Sequence, residues 1–179
     1  MMNSDKNSDI DLMIIASSGS LWTTRLLVYY SLITNRYILG NKQDALCLNM
    51  WLDESDLIWY KKHRNIYTAH EIAQIVPLVN KDKTHEHLLW GNKWILNYWP
   101  NSVKIRNPNI EIRNKFRNSN FKILKIVSNF VLRASNLVAF KLQYFYMRNR
   151  ISREVVTPTR ALFHPQDWGK VVLDRLKGY

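Results

Sequence analysis

Two carboxylates stand two residues apart near the start of this chain, in Asn7-Ser8-Asp9-Ile10-Asp11-Leu12, and the run continues as Met13-Ile14-Ile15-Ala16. The run is apolar and rich in β-branched residues, which favours a strand. Side chains alternate across a strand, so Asp9 and Asp11 project from the same face. Like charges held that close repel one another unless a cation lies between them. Carboxylate oxygens are hard donors, which suits Mg²⁺ or Mn²⁺. On spacing alone, metal ligation and a solvated, turn-forming acidic segment are both open.

The elements that must position these residues follow at once. Ser17-Ser18-Gly19-Ser20 offers serines that cap a helix, and apolar residues at 22, 26, 29, 30 and 33 recur at helical spacing, with an exit at Tyr37 to Gly40. Arg25 on that helix is placed either to face phosphates or to pair with an acidic neighbour. Ala45 to Leu52 predicts a second strand, buried on both faces except at Asn49. A lone amide in such a run is either satisfied by neighbouring backbone or aimed into a polar site. Cys47 in the same run reads as a small buried hydrophobe. Asp53 to Asp56 ends the strand and caps a helical turn from Leu57. Strand, helix and strand make a βαβ-like unit if the two strands are neighbours. Two strands are a poor sheet, and the sequence does not plainly supply a third.

Further along, residues 66–78 predict a helix capped by Thr68 with Glu71 three residues on, ended by Pro77. Residues 84–99 predict another, stopped by Pro100. His85 and His87 sit two apart on that helix, so they face away from each other and are poor joint ligands. His70 reads as a helical surface or half-buried residue. Residues 101–120 read as a basic connector, and 121–150 as a helix interrupted throughout by Lys and Arg. Those charges speak against a transmembrane span, while a helix lying on a membrane surface stays open. Val155-Val156-Thr157 reads as a brief strand, and 166–176 as a short amphipathic helix. His164, in Phe163-His164-Pro165, reads as a phosphate contact or a packing residue.

Charge divides the chain. Residues 1–100 hold ten Lys/Arg and ten Asp/Glu, whereas residues 101–179 hold sixteen against four, so the entire net +12 lies in the second part. Such an excess points to a polyanionic partner or an anionic surface, with a solvated basic face as the plain alternative. A single cysteine excludes an intramolecular disulfide and cysteine-rich zinc sites. With a polar, acidic N-terminus and no signal-peptide pattern, this predicts a cytoplasmic setting.

The segment Asn7 to Ile15 resembles the second half of the nucleotidyltransferase signature of the polymerase-β-like superfamily, where Ser-Asp-Ile-Asp-Leu leads into a hydrophobic strand. Looser likenesses lie at Gly19 to Arg25, Leu46 to Asn49, Gly91 to Ile95, Arg153 to Val156 and Phe163 to Pro165. The resemblance implies an α+β fold: an incomplete nucleotidyltransferase-type domain over 1–100, a small sheet with flanking helices. The basic connector over 101–120 and a mainly helical, basic region over 121–179 follow it.

The resemblance also implies transfer of a nucleotidyl group from an NTP, with Asp9 and Asp11 as catalytic residues and metal ligands. Ser8 and Arg25 would contact the nucleotide. Asn49 stands where the family's third carboxylate is sought; its carbonyl oxygen can ligate, but an amide cannot act as a base. The family also needs a helix, a strand and a Gly-Ser loop ahead of Ser8, where this chain has seven residues. It therefore reads as an N-terminally shortened member. The alternative function is an inactive binding module whose region 101–179 contacts nucleic acid or a protein.

Overall fold

The computed structural model describes residues 10–39, 46–105, 122–163 and 168–177. Its elements run β1 (Ile10–Ala16), α1 (Leu21–Leu39), β2 (Leu46–Asp53), α2 (Ile66–Ala73) and α3 (Thr84–Gly91). Then come α4 (Lys122–Met147), β3 (Val155–Thr157), β4 (Arg160–Leu162) and α5 (Trp168–Lys177). This is an α+β protein with a small mixed sheet. It divides into two compact units, residues 1–56 with 121–165 and residues 57–120 with 166–179. The change of charge near Pro100 falls inside the second unit.

In the first unit the strand order is β1-β2-β4-β3. The two strands read from sequence are indeed neighbours, and they pair in parallel, as a helical crossover requires. Asp11 lies opposite Cys47, and Ala16 opposite Asp53, with one irregularity between Asp11 and Met13. The missing partner for β2 is supplied from far along the chain. β4 pairs antiparallel with β2, with Trp51 opposite Ala161, and the expected strand at 155–157 closes a tight hairpin against it. Arg160, only 2% exposed, secures this edge by donating from Nη2 to the Asp56 carboxylate and to the Asp56 carbonyl, both at 2.8 Å.

Trp22 and Trp51, both fully buried, centre the core of this unit with Leu21, Ala139 and Ala161. The Trp22 ring packs on Phe140 of α4 and its indole N–H donates to the Thr157 carbonyl at 2.9 Å. The serines do not provide the cap expected of them. The amide N–H groups of Trp22 and Thr23, in the first turn of α1, instead donate to Oδ1 of Asn136 on α4, at 2.6 and 3.3 Å. An amide from a helix more than a hundred residues away satisfies the donors that a helix start leaves open.

In the second unit, α2 is capped by Asn65, not Thr68. Asn65 Oδ1 accepts from the Thr68 N–H and Thr68 Oγ1 accepts from the Asn65 N–H, a reciprocal box one turn earlier than the sequence suggests. The helix expected over 84–99 breaks at Asn92 into α3 and a 3₁₀ segment, Lys93–Asn97. Asn92 is fully buried, and its amide is fully engaged. It donates to the Leu57 and Leu88 carbonyls, and it accepts from the Trp59 N–H and the Trp94 indole. An asparagine that bonds backbone this extensively competes with the helix ladder. No regular helix follows Leu57; a 3₁₀ turn stands at Lys61–His63.

Candidate functional site

β1 and β2 bring two of the expected site residues together. Asn49 Nδ2 donates to Asp11 Oδ1 at 2.8 Å, and the Cys47 thiol donates to Asn49 Oδ1 at 2.9 Å. Register explains the cluster. Asp11 lies opposite Cys47, and the irregularity that follows sets Met13 opposite Met50, so β2 carries one extra residue between Cys47 and Met50, where Asn49 stands. Trp51 stacks against Tyr29 of α1, with ring centroids 6.2 Å apart, on the face of the sheet it shares with Ile14, whereas Asp11 shares its side of β1 with Met13. Asp11 is exposed, and Cys47 and Asn49 are half-buried. The cysteine is thus not the buried hydrophobe expected, because the polar pair beside it gives its thiol a partner. Asp9, Ser8 and His164 lie outside the described residues.

Among the described residues Arg25 pairs with no acidic neighbour and is held among aromatic rings. Its guanidinium lies 4.7 Å from the ring centroids of Tyr29 and of Phe163, and 5.6 Å from that of Trp22. Its Nη1 donates to Gln143 of α4, and its Nε has no partner among the described residues. Burial lowers its pKa, with the Tyr29 hydroxyl partly offsetting that shift. Phe163 in turn donates its backbone N–H to the Asn49 carbonyl at 2.8 Å. Arg25 therefore connects to the Asp11–Asn49 pair through one aromatic residue.

No family model matches this chain, and no curated protein or solved structure does. The donor chemistry of the pair must therefore be weighed on its own. Asp11 offers carboxylate oxygens and Asn49 an amide oxygen, both suited to a hard divalent cation. In the observed rotamer, however, Asn49 turns its NH₂ to Asp11, so its oxygen reaches a shared cation only if the amide rotates. Among the described residues no three His, Cys, Asp or Glu side chains are grouped as metal ligands would be. Mg²⁺ is commonly held by one or two carboxylates plus substrate phosphates, and the pair fits that sparse pattern.

Asp53, read from sequence only as part of the strand's end, takes on a second role. Asp53 is fully buried at the far end of β2 and accepts from the Gly19 N–H at 2.7 Å and from the N–H and hydroxyl of Ser55 at 3.0 and 2.6 Å. Both oxygens are committed to holding the β1–α1 turn and the strand exit. Six residues of strand separate it from Cys47, roughly 20 Å, so it does not join Asp11. Its signal was present: an Asp that ends a strand parallel to another is well placed to bond the loop leaving its neighbour.

Proposed function

We propose that this chain carries a metal-dependent nucleotidyl-transfer site built on Asp9 and Asp11, with an NTP as donor and an acceptor of unassigned chemistry. The observation that supports it is the Asp11–Asn49 pair near the start of two parallel strands, where Ile10-Asp11-Leu12 opens β1. Asp11 and the rotated Asn49 amide would hold Mg²⁺ or Mn²⁺. A divalent ion there would screen the phosphate charge and align an attacking hydroxyl with the departing pyrophosphate. Arg25 would contribute by packing Phe163 beside Asn49, with its Nη1 held by Gln143.

The test has two parts. Mn²⁺ binding followed by electron paramagnetic resonance should weaken about tenfold in Asn49→Ala, the usual cost of losing a group that orients a ligand. Incorporation from labelled NTPs with Mg²⁺ should vanish in Asp9→Ala/Asp11→Ala. If wild type and double variant incorporate equally little, the catalytic reading fails. A second reading is then favoured by the amide itself: Asn49 supplies a donor, not a third carboxylate, which suits a binding module that has no base for an acceptor hydroxyl.

A further inference from the structure

Helix α4 presents opposite faces of different chemistry. Asn136, Ala139 and Gln143 meet α1, where Gln143 donates to the Trp22 carbonyl at 2.8 Å and Asn136 accepts from the first turn. The stripe on the other side runs Val131, Ala134, Val138, Leu142 and Phe145, at successive turns of the helix. Val131 and Val138 are each 58% exposed and Leu142 and Phe145 each 65%, values that rule out burial of this stripe within the unit. Phe130 at 74% and Leu137 at 46% widen it beyond a coiled-coil seam.

The sequence of the helix and of the turn after it carries charge of one sign. From Phe121 to Arg153 there are seven Lys/Arg and no Asp or Glu. Lys141 and Arg148 flank the stripe and are exposed. Arg148 lies 4.3 Å from the Phe145 ring centroid, and Arg150 lies 5.6 Å from that of Tyr146, which groups cations with aromatic rings at the end of the helix. Cations and aromatic rings side by side suit the headgroup level of a bilayer. Among the described residues no helix is long and apolar enough to cross one.

We propose that this outer face of α4 docks in the plane of an anionic lipid bilayer. An apolar stripe bordered by cations is what a helix lying in the interface needs, with the stripe in the acyl boundary and the cations on acidic headgroups. A second copy of the chain fits worse, because it would oppose the same positive charge with no acid to pair. Nucleic acid fits worse as well, because phosphates need cations at the centre of the contact, and here the centre is apolar.

Vesicle co-sedimentation of the full chain tests this, using equal parts phosphatidylglycerol and phosphatidylcholine against phosphatidylcholine alone. The chain should sediment with the anionic vesicles and only weakly with the neutral ones. Val138→Asp/Phe145→Asp should bind at least about tenfold more weakly, since it removes exposed apolar area without touching the core. Lys141→Gln/Arg148→Gln should bind about thirtyfold more weakly. Thermal unfolding of both variants should match wild type, and NTP turnover is not part of the readout.

Three results would overturn the proposal. The first is wild type that stays in the supernatant with anionic vesicles. The second is an apolar variant that binds as well as wild type while the charge variant fails, which would assign the surface to a purely electrostatic partner such as nucleic acid. The third is a lipid-free dimer that Phe145→Asp dissociates.

Discussion

Four hydrogen bonds converge on the buried amide of Asn92, and they tie the segment after β2 to α3 and the 3₁₀ turn beyond it. Asn92→Ala removes the partner that two carbonyls, the Trp59 N–H and the Trp94 indole N–H share at a fully buried position. We expect it to destabilise the second unit by about 2–4 kcal/mol, read as lost hydrogen-exchange protection across residues 57–97. Gly19 poses a backbone problem. Its φ is +75°, and a Cβ there would stand 2.9 Å from Arg133 Cγ, so Gly19→Ala is strained in both respects. About 1–2 kcal/mol of lost stability is expected in a denaturant titration. At this scale the sequence was partly legible. Asn49 drew attention as an amide in an apolar run, and it does aim at a polar partner. Its rotamer was not legible, because that depends on Cys47 and Asp11 arriving together across two strands. Asn92 gave no signal, since an asparagine inside a helical pattern looks like a tolerated surface residue until its burial is known.

Elements tell a similar story. β1, α1 and β2 each carry a long apolar or helically spaced run, so their existence followed from the chain, while the pairing of the two strands stayed conditional until the sheet was seen. β4 has three residues beginning with a charge, too short for alternation to register, and its place in the sheet comes from pairing with β2. The start of α1 was legible and its cap was not, because the capping group lies on α4. Asn136→Ala should therefore unfold α1 more easily, by about 1–2 kcal/mol, although the serines beside the helix stay intact. Asn136→Asp keeps an acceptor for the Trp22 and Thr23 N–H groups and adds a negative charge at a helix N-terminus, which the macrodipole favours. Thermal melts should rank wild type and Asn136→Asp above Asn136→Ala. Equal melting of the alanine and aspartate variants would mean that Asn136 packs against α1 without capping it.

At the level of the whole molecule, the first unit is assembled from two stretches separated by more than sixty residues, 1–56 and 121–165. The charge change near Pro100 offers itself as a place to cut the chain, and the connections within this unit argue against cutting there. A fragment ending at residue 100 loses β4 against β2, the Arg160 partner of Asp56, the Thr157 carbonyl that receives the Trp22 indole, and the Asn136 cap. It keeps β1, α1 and β2, a single parallel pair with one helix, and two strands rarely hold a fold in water. Asp56 would also lose the Arg160 guanidinium that accounts for two of its hydrogen bonds. A typical protein is stabilised by only roughly 5–15 kcal/mol, so losing these contacts together leaves the pair of strands without enough to hold it. The 1–100 fragment should therefore show no cooperative unfolding transition of its first unit by circular dichroism. Adding residues 121–165 as a separate polypeptide should restore protection of the β1 and β2 amides. A cooperative melt of the fragment alone, with β2 amides protected, would show that the parallel pair is self-sufficient and that the distant hairpin only decorates it.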